Sequence, residues 1–321
     1  MKTSRIPTRA TVLAVSAALA LSACSDGTAD AAAEETAATT TTVATNLGDV
    51  EIPAEPVRVA ALDNTSFQTL LDLGITPVAL PKTLLPRTGF EQWATDESIA
   101  DAGSHREPVL EAVSEAEPDL IIGGYRFSDY QEDLEKIAPT IDIAPDSENP
   151  ENYVESLKEQ TTLIGEIFGK EAEAAELVAD LEDSVAAAAA QTGGESVFLA
   201  VATGGRIDNG SERLGRLMSP LDLTNVLESQ GDSIHSDSGL APETIAQLNP
   251  DWMFVMDRDA GTGEAGATPA EQLVAAQEAW AATTFVTQDN IVYLPSTFYV
   301  TEGIQAYTEV YDEIASAFQA A

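Results

Sequence analysis

A helix–turn–strand pattern that occurs twice at one fixed offset constrains this chain more than any other feature. Residues 108–126 read PVLEAVSEAEPDLIIGGYR and residues 240–258 read LAPETIAQLNPDWMFVMDR. Glu111 and Glu243, Pro118 and Pro250, Asp119 and Asp251, and Arg126 and Arg258 are each 132 positions apart. Each copy predicts a short amphipathic helix, a Pro-Asp turn, an apolar strand and an arginine just past the strand end. Any helix–turn–strand resembles any other to a degree, but coincidence at every one of these positions weighs against accident. The repeat therefore predicts two lobes built alike, clamping a ligand between them. A helix that precedes a strand in an α/β unit runs antiparallel to it. Glu111 and Arg126 then share one sheet edge, as do Glu243 and Arg258. Open α/β sheets bind ligands outside the carboxyl ends of their strands, which is where both arginines fall.

At 321 residues the chain has length for two cores. Its formal net charge of −39 excludes nucleic-acid binding, which needs basic surface to meet phosphates. Most carboxylates read as a solubilising coat, and that makes the few arginines more telling. Residues 1–23 read as a lipoprotein signal peptide: Lys2, Arg5 and Arg9 precede an apolar run from Thr11 to Ala23 that is too short to span a bilayer. The run ends in Leu21-Ser22-Ala23-Cys24, which resembles the bacterial lipobox, so Cys24 is expected to be lipidated. It is the only cysteine, and no intramolecular disulfide can form. Residues 24–46 are small, polar and acidic, and are expected to be a flexible tether.

From residue 57 to about 145, strand and helix patterns alternate, which predicts βαβ units and a mostly parallel sheet. Residues 152–168 and 171–191 carry apolar residues at helical spacing, the second without internal Gly or Pro. The expected organisation is an N-terminal lobe over 47–168, a connecting helix over 169–192 and a C-terminal lobe over 193–321. A strand at VFLAV, a helix near 219–229, the second repeat copy, strand IVYLP and a final helix from about Gly303 fill the second lobe. A stiff helical connector predicts small closure rather than wide opening.

These features together resemble the helix-linked class of bacterial binding proteins that serve ABC importers of ferric siderophores, haem and vitamin B12. The resemblance is carried by the lipobox, GSHREPVLEAVSEAEPDLII, the connector and LAPETIAQLNPDWMFVMDR. LPKTLLP at 80–86, GSERLG at 210–215, SIHSDSG at 233–239 and YLPSTFYV at 293–300 further resemble the branch that binds ferric catecholates. It implies an α/β fold of the class III periplasmic binding protein type: two Rossmann-like lobes with mostly parallel sheets, joined by one long connecting helix. It also implies a monomer, not an enzyme and without a cofactor, whose ligand is an Fe(III)-siderophore. The partners implied are an ABC permease with its ATPase, and the outer face of the cytoplasmic membrane through the anchor at Cys24.

Residue by residue, the resemblance implies that Arg126, Arg213 and Arg258 line the cleft. A guanidinium stays charged when partly desolvated and acts at hydrogen-bond range, whereas the remote acidic coat is screened beyond about 8 Å. The bland reading is that the arginines pair with carboxylates. That is expected of Arg206 and Arg216, with Arg216 kept as a reserve cleft residue. His235 and Tyr299 match positions that complete the iron coordination of tetradentate siderophores, and both are metal ligands only in that case. A solvated His235, and a Tyr299 that is core or a stacking wall, are the alternatives. Glu111 and Glu243 are implied to dock on the permease, although each also suits a helix's first turn. His105 has no comparable support.

A dinucleotide-binding GxGxxG is not expected in this chain, and phosphate-loop, HExxH, CxxC and GxSxG patterns are absent. The competing functions are a hydroxamate siderophore, haem or cobalamin carrier of the same class, and a surface adhesion lipoprotein that captures no small molecule.

Overall fold

The computed structural model describes residues 39–227 and 238–321. The signal peptide, Cys24 and His235 lie outside the described residues. No described helix is long and apolar enough to cross a membrane.

The tether expected over 24–46 is corrected at its end. Thr40–Thr45 form β1, paired antiparallel with β2 (Gly48–Pro53). TTTVAT is rich in β-branched residues, which suit a pleated backbone. Gly48, at φ 107°, permits the turn. Val43 and Ile52 are buried in the core of the N-terminal half, so this hairpin belongs to the folded body.

Two sheets follow. In the first, β3 (Val59–Ala61), β4 (Ala79–Leu80), β5 (Ala100–Asp101), β6 (Leu120–Gly123) and β7 (Thr140–Asp142) lie in the order β5-β4-β3-β6-β7, all parallel. The second contains β8 (Glu195–Thr203), β9 (Arg206–Asn209), β10 (Leu223–Asn225), β11 (Trp252–Asp257) and β12 (Ile291–Tyr293). Its parallel order is β10-β8-β11-β12, and β9 turns back antiparallel on β8. A sheet covered on both faces needs apolar residues on both faces, and β6 and β11 meet that demand with LIIG and WMFVMD. Along β8, Val197, Leu199 and Val201 enter one core while Phe198, Ala200 and Ala202 enter another. In the first sheet, Ala61 and Ile122 face one core, Ala60 and Ile121 the other.

The helix expected near 219–229 is absent over the described residues 219–227, where the chain forms β10 instead. Asn225 is the local reason. Its side-chain oxygen accepts from Leu227 N at 3.2 Å, closing a turn that competes with helix. Leu223–Asn225 then pair with Glu195–Val197 of β8.

Between β7 and β8 the chain runs through the helices Tyr153–Phe168 and Glu171–Ala189, separated by Gly169 in the left-handed region. The second occupies the stretch expected to connect the lobes. The first is less confined to the N-terminal half than its sequence position implied. Tyr153 and Leu157 lie in the core beneath the second sheet, Ile164 and Ile167 in the core beneath the first. Leu177 of the connecting helix packs against both. Residues 38–321 accordingly form one compact unit.

Candidate functional site

The repeat is structural as well as sequential. Helices Leu110–Glu115 and Pro242–Leu248 precede β6 and β11, burying Val113 and Ile245, which obey the same offset. Glu117 and Asn249, each just before the repeat proline, both take φ 46°. Left-handed residues close helices in this way. The carboxylate of Asp119 accepts from Val57 N and Arg58 N, each at 2.9 Å. That of Asp251 accepts from Ser196 N at 2.9 Å. Each aspartate thus ties the start of its strand to the neighbouring central strand. The repeat sets two sheets in equivalent frames, with Arg126 and Arg258 following their carboxyl ends.

Arg258 opens a short helix after β11, where its Nη1 reaches Thr203 Oγ1 at 3.4 Å and Asp259 Oδ1 at 3.3 Å. Its Nε is buried without a hydrogen-bond partner among the described residues. Its guanidinium carbon stands 5.5 Å from the centre of the Tyr299 ring, and that of Arg213 stands 5.7 Å from the same ring. Two cations on one aromatic ring make a polarised, partly dry surface. Arg126 donates from Nε to Asn64 Oδ1 at 2.9 Å, and Asn64 Nδ2 donates to Val300 O at 2.9 Å, adjacent to Tyr299 in sequence. The arginine of the first half is therefore bonded through Asn64 to the segment carrying Tyr299 in the second.

Arg213 lies deeper than a cleft arginine was expected to lie. It is 8% exposed and paired with Glu302, which is itself 1% exposed. Glu302 also faces Arg216, with Nη1 to Oε1 at 3.4 Å. Burial pulls the Arg216 guanidinium down, but the Glu302 carboxylate together with the Tyr153 and Tyr307 phenols holds the group above its ordinary range. Arg216 and Arg206 pair with carboxylates as read from sequence, Arg206 with Asp208. Tyr299 is 7% exposed and belongs to the hydrophobic core of the C-terminal half.

Several site residues escape the sequence reading. Glu302 and Asn64 give no periodic signal, because each acts through contacts more than 60 positions away. Arg87 crosses between the halves to donate to Gly263 O at 2.9 Å. The expectation that the chain lacks a GxGxxG pattern is corrected by GTGEAG at 261–266, which has the spacing of a dinucleotide fingerprint. Packing explains its first two glycines. A Cβ on Gly261 would stand 2.6 Å from Ser296 O, and one on Gly263 would run into Arg87. They end a short helix rather than open a long one.

The His105 imidazole is held below its ordinary range, first by desolvation, then by the positive charges of Arg106, Arg126 and Arg258. One side chain thus feels an arginine from each half. Asp63 is buried and accepts from Thr65 and Gln160. Burial pushes its carboxyl up to about 6, the hydrogen bonds from Thr65 oppose this, and Asp142 adds to it. Glu111 and Glu243 are exposed in the first turns of their helices. A separate cavity of about 670 Å³ lies between Glu171–Ala189, Ile304–Ala320 and β12, lined by Asp180, Glu309, Asp312 and Glu313. Its carboxylates would repel an anion. Among the described residues, no group of three His, Cys, Asp or Glu is placed to hold a metal ion.

A family model described as periplasmic binding protein matches residues 59–297. The chain is 28% identical over 317 residues to the petrobactin-binding protein YclQ of Bacillus subtilis, covering 96% of this chain and 97% of that one. It is 29% identical over 220 residues to the ferric-anguibactin-binding protein FatB of Vibrio anguillarum, covering 67% and 68%. The crystal structure of YclQ superimposes with a TM-score of 0.75 over 88% of this chain and 99% of that chain. The siderophore-binding protein BauB, solved with acinetobactin and ferric iron, is 24% identical; it covers 88% of this chain and all of its own length at a TM-score of 0.76, and so shares the fold.

Proposed function

The chain belongs to the periplasmic binding protein family, and we propose that it is the substrate-binding lipoprotein of an ABC importer that captures an anionic ferric siderophore of catecholate type. It does no chemistry on its ligand; it holds and presents it. The observation that carries this reading is that Arg126 and Arg258, equivalent residues of two equivalent sheets, are both tied to one segment, Arg258 beside the Tyr299 ring and Arg126 through Asn64 to Val300 O. A ferric catecholate is a multiply charged anion with aromatic rings. Guanidiniums supply charge and directed donors to its oxygens, and the Tyr299 ring supplies a stacking surface. The names of the relatives point the same way, since petrobactin and ferric anguibactin are what those proteins bind.

In this reading Cys24 anchors the protein to the outer face of the cytoplasmic membrane. Arg126, Arg213 and Arg258 hold the ligand. Tyr299 and His235 reach iron only when the siderophore leaves coordination positions open. Glu111 and Glu243, one on each half at the rim, dock on the permease. Two carboxylates at fixed separation can report that the halves are correctly juxtaposed.

Titration of the intrinsic tryptophan fluorescence tests the reading. A ferric catecholate is expected to quench and saturate at least about tenfold more tightly than the iron-free chelator, a difference of about 1.4 kcal/mol. Equal affinity for the two, or no saturation with either, overturns it.

A further inference from the structure

Every arginine near Tyr299 in the C-terminal half is accompanied by a buried carboxylate. Arg258 has Asp259, which is 4% exposed. Arg213 shares Glu302 with Arg216. Glu302 cannot leave this position without refolding its surroundings. Its backbone is left-handed at φ 47°, and its carbonyl accepts from Tyr153 Oη at 3.0 Å. The next residue, Gly303, lies so close that a Cβ on it would stand 2.4 Å from Thr65 O. The carboxylate is therefore a fixed negative charge between two guanidiniums with different surroundings. Arg213 faces the Tyr299 ring. Arg216 faces a different ring: its guanidinium carbon is 4.8 Å from the centre of the Tyr153 ring, and its Nη2 donates to Ser147 O at 3.2 Å.

We infer that Glu302 sets how much positive charge the site presents, and so selects the charge of the ligand. The inference rests on the reading of the site as an anion-binding cleft. Glu302 is hydrogen-bonded to Arg213, whose guanidinium faces the Tyr299 ring, inside a region shielded from salt, where charge acts over several ångströms. It need not touch the ligand; it acts as a positioning and charge-setting residue for Arg213. Arg216, held against the Tyr153 ring, supplies the opposing charge and fixes the balance. A chain with this arrangement discriminates among ferric complexes by net charge even where their shapes are alike.

Two ferric complexes on one tripodal scaffold test this, a tris-catecholate carrying three negative charges and a neutral tris-hydroxamate. The quantity read is the ratio of their dissociation constants. Glu302→Gln is expected to raise the preference for the trianion about tenfold, and Arg216→Gln to lower it by a similar factor. Glu302→Asp, which keeps the charge, leaves the ratio near that of the parent. Opposite signs are the signature of charge, because both substitutions break the same buried pair. Shifts in the same direction, or no shift in either variant, overturn the inference. Thermal unfolding is followed in parallel; where the Gln variant of Glu302 does not fold, the sign of the Arg216→Gln shift decides. A parent chain that prefers the trianion while both variants shift alike overturns this inference only. A parent chain that binds neither complex overturns the proposed function with it.

Discussion

Arg126→Gln and Arg258→Gln are each expected to weaken binding of a ferric catecholate by roughly 10- to 100-fold, the value of one or two charge-assisted hydrogen bonds in a partly dry site. The two substitutions are equivalent in design because the residues are equivalent in the repeat. Each removes a guanidinium at the carboxyl end of its sheet and leaves the strands themselves untouched. Arg213→Gln is expected to weaken binding too, but with a lower thermal midpoint, since Glu302 then keeps only Arg216 as a cationic partner. Arg58→Gln is the appropriate control. Its guanidinium donates to the carbonyls of Ala116 and Glu117, at the opposite end of the sheet from Arg126. Arg87 is a poor control, because it bridges the halves at Gly263. Isothermal titration with the four single variants distinguishes the cases. Equal losses at Arg58 and at the repeat arginines would falsify the charge cradle.

Replacing Glu111 and Glu243 together by Ala is expected to abolish iron uptake in cells while leaving the purified protein's affinity unchanged. Both side chains are exposed in first helical turns, so their loss costs about 0.3–1 kcal/mol of helix-dipole stabilisation each, too little to unfold the body. Neither carboxylate is among the described contacts to Arg126, Arg213, Arg258 or Tyr299. Uptake of radiolabelled iron by cells carrying the double variant, set beside a binding titration, separates delivery from capture. Uptake at the parental rate removes the docking role.

The architecture was legible because it repeats. Four coincident residues at a single offset announced two equivalent helix–turn–strand units, and the structure adds Val113 with Ile245 and Glu117 with Asn249 to the same register. Long apolar runs such as WMFVMD read directly as buried parallel strands. What stayed hidden has two physical causes. Composition misled over Thr40–Thr45, where small polar residues suggested a tether but β-branched ones made a hairpin. Long-range polar contacts have no local signature at all. Glu302 meets Arg213 across 89 positions and Arg126 meets Asn64 across 62, so neither pairing could be read from spacing. Tyr299 shows the same limit: its segment was identified, but its burial in the core was visible only once helix Ile304–Ala320 was packed beside it.

The position of the iron in a crystal of the protein with a ferric tris-catecholate, located by its anomalous scattering, tests the central claim most directly. The iron is expected between Arg126 and Arg258, beside the Tyr299 ring, with ligand oxygens in hydrogen-bond reach of a guanidinium from each half. An iron peak in the acidic cavity between Glu171–Ala189 and Ile304–Ala320, or one contacted by arginines of a single half, would contradict it.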